Sequence, residues 1–428
     1  MDYTQALAYV KSLVPRGINM GLVRVQKLCN AVGDPQKTLK FIHVAGTNGK
    51  GSTCAMLSHV LTAAGYKTGL FTSPAVVDYR EALQVNGEMI SRGDFSRLVL
   101  EIKAGVELLA GQEIYVTEFE AMAALAFLYF QRSGCDIVVL EVGLGGREDA
   151  TNVIDDSLVS VIMSIALDHT DFLGGTIEKI AYEKCGIIKP NGVTVVYPEQ
   201  EGAVWPVIEE TLRRNNGTWL VPDMRKLQVM RSGIAGSDFR YGAMEFATRL
   251  VGEHMVKNAL VAIEVVMALK AKGYAIDDSA LQKGIYHTVM PARMEVYANN
   301  PPLIIDGGHN GGCAFALGEA IRTCLPDKKI IAVCAMLSNK DYKSYLRILA
   351  PRLSFLIATG VPMERSLPAT ALFNAALGCR IGAQCIEDCI EAIQRAEAMA
   401  GPDDAILVCG SFFLADPVRK YLDRKALP

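Results

Sequence analysis

The stretch Phe41-Ile42-His43-Val44-Ala45-Gly46-Thr47-Asn48-Gly49-Lys50-Gly51-Ser52-Thr53 joins five residues of strand character to a glycine-rich turn. A helix follows at once, because Met56, Leu57, Val60, Leu61 and Ala64 mark one apolar face that ends at Gly65. Glycines let backbone N–H groups approach phosphate oxygens, and a helix N-terminus adds about half a positive charge. Lys50 supplies a point charge for the β and γ phosphates, with hydroxyls at Ser52 and Thr53. The spacing is not the standard phosphate loop, since Val44 holds the first glycine position and Gly51 separates Lys50 from Ser52. The order strand, glycine loop, lysine, hydroxyl and helix reads as a nucleotide site on an α/β sheet.

Outward from this loop, short β-branched runs alternate with helix-length segments, the pattern of a mostly parallel sheet covered on both faces. Phe41 to Ala45, Ile137 to Leu140, Leu158 to Ile165 and Val193 to Tyr197 are expected strands. A second series comprises Leu303 to Ile305, Ile330 to Cys334, Phe355 to Ala358 and Ala405 to Cys409. Between them, Met290 to Pro302 holds Pro291, Asn299, Asn300, Pro301 and Pro302, which suits an interdomain linker. The expected organisation is a P-loop-type α/β domain over residues 1–296 and a smaller Rossmann-like α/β domain over 297–428, with the active site in the cleft between them.

A chain of 428 residues, half of them hydrophobic, exceeds one ordinary core and excludes disorder and collagen. Its 43 basic and 46 acidic residues leave a formal net charge of -3, so no global field collects nucleic acid or anionic lipid. The longest clean apolar run, Ala121 to Phe130, is half of the roughly 20 residues that a bilayer crossing needs and reads as a buried helix. The N-terminus lacks a signal-peptide layout, which predicts a cytoplasmic protein, while the charge balance and the short apolar run predict no nucleic-acid and no membrane partner. Eleven cysteines scattered from Cys29 to Cys409 read as reduced packing residues. Cys379, Cys385 and Cys389 lack a close CxxC pair, and packing is the favoured reading over a structural metal.

Glu141 follows an apolar run, which places a carboxylate at a strand's carboxyl end, where open α/β sheets bind ligands. It reads either as a Mg²⁺ ligand or as an acid capping a loop. Asp168-His169 ends the next strand at the same edge. In the helix opening near Thr176, the residues Ile177, Ile180, Ala181 and Lys184 share one face, so a lysine sits on the core stripe. Two readings stand for it: a side chain snorkelling to the surface before Gly186, or a desolvated amine that CO₂ could carbamylate into an oxygen ligand for a second metal.

Together these residues resemble the folylpolyglutamate synthase and dihydrofolate synthase family, within the Mur ligase superfamily. The marks run nearly end to end: His43 to Ser52, Phe71-Thr72-Ser73-Pro74, Glu141 to Arg147, Asp168-His169-Thr170, Glu183 to Ile187, His254 with Asn258, Pro291-Ala292-Arg293, Asp306 to Asn310, and Gly410-Ser411. Gly-Lys-Gly-Ser in the loop favours the folate branch over the peptidoglycan ligases. The resemblance implies that Gly46, Thr47, Asn48, Gly49, Lys50, Gly51 and Ser52 hold ATP phosphates, while Ser73, Glu141 and His169 surround one Mg²⁺. It assigns Lys184 as the carbamylated lysine of a second Mg²⁺ site, Asn258 to adenine and Arg293 to phosphates. Asp306 and His309 would close over the nucleotide, and the loop 72–88 would lie near a pterin. The sequence departs from the family pattern at Ala75, Met255, Ala292, Gly308 and Cys185.

The implied reaction is ATP-dependent amide formation. The carboxylate of dihydropteroate or of a reduced folate attacks the γ-phosphate, and L-glutamate displaces phosphate from the acyl phosphate, with Lys50, Lys184 and His309 in catalytic roles. The resemblance further implies small-molecule partners only and a monomer. Its rivals are a Mur-type ligase for a peptidoglycan precursor and a nucleotide-binding regulatory protein that no longer ligates.

Overall fold

The quoted run forms β1, Phe41–Ala45, the interior strand from which the first sheet is built, and all five of its residues are buried. The computed structural model describes residues 1–75 and 78–426. The sheet continues with β2 Thr68–Phe71, β3 Leu83–Val85, β4 Glu88–Met89, β5 Ile137–Glu141, β6 Val159–Ile162, β7 Val193–Val196 and β8 Thr218–Leu220. Their order is β4-β3-β2-β5-β1-β6-β7-β8. All neighbours pair in parallel except β2 with β3 and β3 with β4, which are antiparallel. Val44 lies beside Glu141, and Ala45 beside Ile162, so the carboxyl ends of β5, β1 and β6 open on one edge. That edge is where a sheet with helical crossovers leaves room for a ligand.

The apolar run Ala121 to Phe130 lies in the helix Glu118–Ser133 and is buried apart from Tyr129. Thr117 caps this helix: its hydroxyl accepts the Glu120 amide while the Glu120 carboxylate accepts the Thr117 amide. Gly134 ends it with φ of 65°, in the left-handed region that glycine adopts without strain. Among the described residues, no helix is long and apolar enough to cross a membrane. Each large apolar side chain sequestered here contributes about 1.5–3 kcal/mol. Phe130 needs β2 to be thin, since a Cβ on Gly69 would sit 2.8 Å from its ring.

Two compact units emerge: Met1–Lys226 with Lys257–His287, and Leu227–Val256 with Thr288–Pro428. In the second unit, β9 Leu227–Gly233, β10 Gly236–Tyr241 and β11 Met244–Thr248 form an antiparallel sheet. A six-stranded sheet follows from β12 Glu295–Asn299, β13 Pro302–Asp306, β14 Lys329–Cys334, β15 Phe355–Ala358, β16 Gly382–Cys385 and β17 Asp404–Cys409. Its order is β12-β13-β17-β14-β15-β16, parallel except for β12.

The observed division differs from a boundary at residue 297 in two places, because 227–256 and 288–296 group with the later strands. The stretch read as a linker contains β12, which pairs with β13 across Asn300 and Pro301. Pro302 opens β13, where a missing N–H is tolerated. The expected strand Leu158 to Ile165 is shorter, because the Ser164 carbonyl leaves the ladder to accept the Thr47 amide at 2.8 Å and the Asn48 amide at 3.2 Å. The expected loop 72–88 is in part ordered as a 3₁₀ turn, Tyr79–Ala82, then β3 and the start of β4, while Val76 and Val77 lie outside the described residues. All eleven cysteines are thiols, and Cys385 is exposed rather than packed.

Candidate active site

The glycine loop is held by close approach. Gly46 has φ of 149°, and a Cβ there would lie 2.5 Å from the Met163 Cβ. Gly49 has φ of 86°, and a Cβ there would lie 2.6 Å from the Asn258 Oδ1. Thr47 is pinned on both sides, its hydroxyl donating to the Ala166 carbonyl at 3.0 Å and accepting the Ala166 amide at 3.1 Å. Because Thr47 and Asn48 donate their amides to Ser164, the donors left to the loop are those that open the helix Lys50–Ala63, whose first turn has no internal acceptors.

Two lysines converge on one carbonyl. Lys50 Nζ donates to the Gly46 oxygen at 3.0 Å and to the Thr47 oxygen at 3.3 Å, while Lys184 Nζ donates to the same Gly46 oxygen at 2.9 Å. Lys184 is 5% exposed, so its amine turns inward and does not snorkel. Thr176 caps the helix Ile177–Cys185 that carries it. Burial first, and then the charge of Lys50, pull the Lys184 ammonium down to about 7, against which Asp168 and Asp149 act.

Glu141, 4% exposed at the end of β5, accepts the Ser73 amide at 3.2 Å. The carboxylate thus caps the loop after β2 while facing the same edge as the lysines. His169 has φ of 50° and precedes a single helical turn, Thr170–Leu173, with its Nε2 3.9 Å from the Asp168 carboxylate. Asn258 is buried in the first unit beside Gly49. Ser73, Glu141, His169, Lys184, Asn258 and the loop therefore belong to one unit, and its sheet edge supplies most of them.

Arg293, Asp306 and His309 form a separate group in the second unit. The Asp306 carboxylate accepts the Gly308 amide at 2.8 Å and the Met294 amide at 3.0 Å, tying the end of β13 to the preceding loop. Phe412 gathers the other two: the Arg293 guanidinium lies 4.4 Å from its ring centroid, and His309 packs edge-on to it. Gly307 makes room, since a Cβ there would stand 2.3 Å from the Phe412 ring.

The first unit also holds a buried polar group, Asp149, Thr151 and His43, to which the sequence alone assigned no individual role. Asp149 is buried and accepts the Leu144 amide, the Thr151 amide and the Thr151 hydroxyl. With that hydroxyl proton on Asp149, the His43 Nε2 must donate to the Thr151 oxygen at 2.8 Å, which fixes the neutral tautomer. Burial, aided by the Lys189 charge, holds this histidine well below its ordinary value. The polar run Asp149-Ala150-Thr151-Asn152, buried just after a glycine loop, was the available signal.

Residues 44–266 match the Mur ligase middle domain, and residues 292–412 match the Mur ligase glutamate ligase domain. Dihydrofolate synthase/folylpolyglutamate synthase of Bacillus subtilis is 33% identical over 98% of this chain and 99% of its own. Escherichia coli FolC in complex with DHPP and ADP superposes with a TM-score of 0.88 at 29% identity, covering 100% of this chain and 99% of that one. A bifunctional folylpolyglutamate synthase/dihydrofolate synthase from Yersinia pestis, complexed with AMPPNP and Mn ion, does so with a TM-score of 0.85 at 30% identity, covering 99% and 98%.

Proposed function

The chain belongs to the folylpolyglutamate synthase and dihydrofolate synthase family of Mur ligases, and from that membership we propose that it joins L-glutamate to the carboxylate of dihydropteroate or a reduced folate, consuming ATP and releasing ADP and phosphate. The observation that carries this reading is the convergence of Lys50 and Lys184 on the Gly46 carbonyl, at the sheet edge that also bears Glu141. A carboxylate is a poor electrophile. Attack on the γ-phosphate converts it to an acyl phosphate, which the glutamate amine opens with loss of phosphate.

In this reading Lys50 leaves the Gly46 and Thr47 carbonyls to meet the phosphates, and the amides of Gly49 to Ser52 receive phosphate oxygens. The close approach at Gly46 and Gly49 fits a loop shaped to bring backbone, not side chains, to a ligand. Ser73, Glu141 and His169 offer oxygen and imidazole donors for Mg²⁺, which, when bound, offsets phosphate charge. Lys184, half neutral near pH 7, is an amine that CO₂ can carbamylate to an anionic ligand for a second Mg²⁺. Asn258 is assigned to adenine, Arg293 to phosphates, and Asp306 and His309 to the nucleotide. The cytoplasm suits these substrates.

Glutamate-dependent ADP release, assayed separately with dihydropteroate and with tetrahydrofolate, tests the reading and distinguishes the two synthase activities. Release with a uridine-linked muramoyl substrate instead, or ATP binding without turnover, would replace it. Lys184→Ala should be nearly inactive and partly rescued by a small added carboxylate.

A further inference from the structure

Lys189 sits five residues beyond Lys184, past the helix end, with its ammonium buried. Its Nζ donates to the Ile154 carbonyl at 2.6 Å and to the Asn152 Oδ1 at 2.9 Å. The Asn152 amide nitrogen in turn donates to the Arg147 carbonyl at 2.9 Å and to the Gly186 carbonyl at 3.2 Å. Arg147 ends the glycine loop that leaves Glu141, and Gly186 follows Lys184 by two residues. One side-chain amide therefore staples the loop after one proposed metal ligand to the turn after the other.

The staple works in one orientation only. An ammonium has donors and no acceptor, so it dictates that the Asn152 oxygen faces Lys189 and that both N–H bonds face the two carbonyls. Without Lys189 the amide can rotate, which would set its oxygen against the Arg147 and Gly186 oxygens. The surfaces joined have no slack: the Arg147 amide donates to the Glu183 carbonyl at 2.8 Å, and a Cβ on Gly146 would stand 2.8 Å from both the Glu183 and Lys184 carbonyl oxygens. An apolar side chain at 189 would avoid the cost of burying an ammonium, so the lysine is not explained by packing.

We propose that Lys189, acting through Asn152, is a positioning residue for the ligation reaction, fixing the spacing between the strand end that bears Glu141 and the helix that bears Lys184. The proposal rests on the function proposed above, because the two groups need a fixed spacing only if they serve one reaction. Displacing a supporting contact of this kind lowers activity by roughly 10–100-fold.

The full-length chain and the variants Lys189→Met and Asn152→Asp are compared by glutamate-dependent ADP release, with kcat normalised to the number of nucleotide-binding sites titrated. Both variants should lose roughly 10–100-fold in kcat per site with ATP affinity within about threefold. Amide hydrogen exchange over residues 143–147 should quicken in each. A kcat per site within twofold of wild type in Lys189→Met overturns the proposal. If Lys189→Met does not fold, Asn152→Asp decides alone: it is nearly isosteric, keeps an acceptor for Lys189 and removes both donors, so an unchanged kcat and unchanged exchange refute the staple. A wild-type chain without glutamate-dependent ADP release overturns the reaction itself, and hydrogen exchange then still decides whether Lys189 and Asn152 hold the loop.

Discussion

Lys184→Met should abolish a specific pH dependence of stability. The buried ammonium titrates at about 7 in the folded chain, against 10.5 when unhindered. Below pH 7 both states carry the proton and the folded state bears the whole penalty of holding a charge away from water. Above pH 10.5 neither state is charged and the penalty is gone. Between these limits the unfolded chain binds more protons, so stability rises with pH. A shift of this size corresponds to about 5 kcal/mol in full. About 2 kcal/mol of it should be recovered between pH 7 and pH 9. Methionine fills similar volume without a titrating group. Its lost bond to the Gly46 carbonyl adds an offset largely independent of pH.

The measurement is urea unfolding of wild type and variant at pH 7 and pH 9 in CO₂-free buffer, followed by tryptophan fluorescence. Trp205 and Trp219 are the only tryptophans, and both lie in the first unit with Lys184. Wild type should gain about 2 kcal/mol over the variant across that interval. Parallel pH profiles, within about 0.5 kcal/mol, would show that Lys184 titrates near its ordinary value and would remove the basis for its reactivity with CO₂.

Three further outcomes follow from single contacts. Gly46→Ala should weaken ATP binding at least about tenfold, the equivalent of about 1.4 kcal/mol, because the new Cβ would meet Met163 at 2.5 Å; calorimetric titration at wild-type affinity would refute the loop geometry. Ala292→Gly should stabilise the chain by about 0.5–1 kcal/mol, since Ala292 is held at φ of 53°; a lower melting temperature would contradict the strain. Asp306→Asn should lose about 1–3 kcal/mol, because one of the two amides its oxygens accept would then face an N–H donor; an unchanged melting temperature would show that the carboxylate is not what ties these loops.

The buried parallel strands were legible because burial on both faces writes a continuous apolar run, as in Ile137–Leu140 and Ile330–Cys334. β2 was not, because Gly69 dilutes a run whose small residue exists to admit the Phe130 ring. β8 and β16 lie at sheet edges, where little of the strand is buried and the pattern fades. The antiparallel β9 to β11 presents an exposed face on β9 and carries no strong period. In the site, Lys184 betrayed itself by standing on an apolar stripe. The Ser164 carbonyl could not, since main-chain acceptors have no letter in a sequence. Asn152 and Lys189 stand 37 residues apart, so their pairing is a fact of folding and not of spacing.

The interruption of each unit by the other also bears on how the chain is born. A ribosome delivers residues N-terminal first, and domains complete folding as whole units. Here the first unit lacks Lys257–His287 until the ribosome has already made Leu227–Val256, a piece of the second. The helix turns that pack Gly284 against Val60, where a Cβ would come within 2.4 Å of backbone, are thus among the last parts of the first unit to emerge. Meanwhile β9 to β11 must wait for partners not yet translated. Nascent chains halted before residue 287 should therefore be protease-sensitive throughout, and no single cut in the gene would yield both units intact.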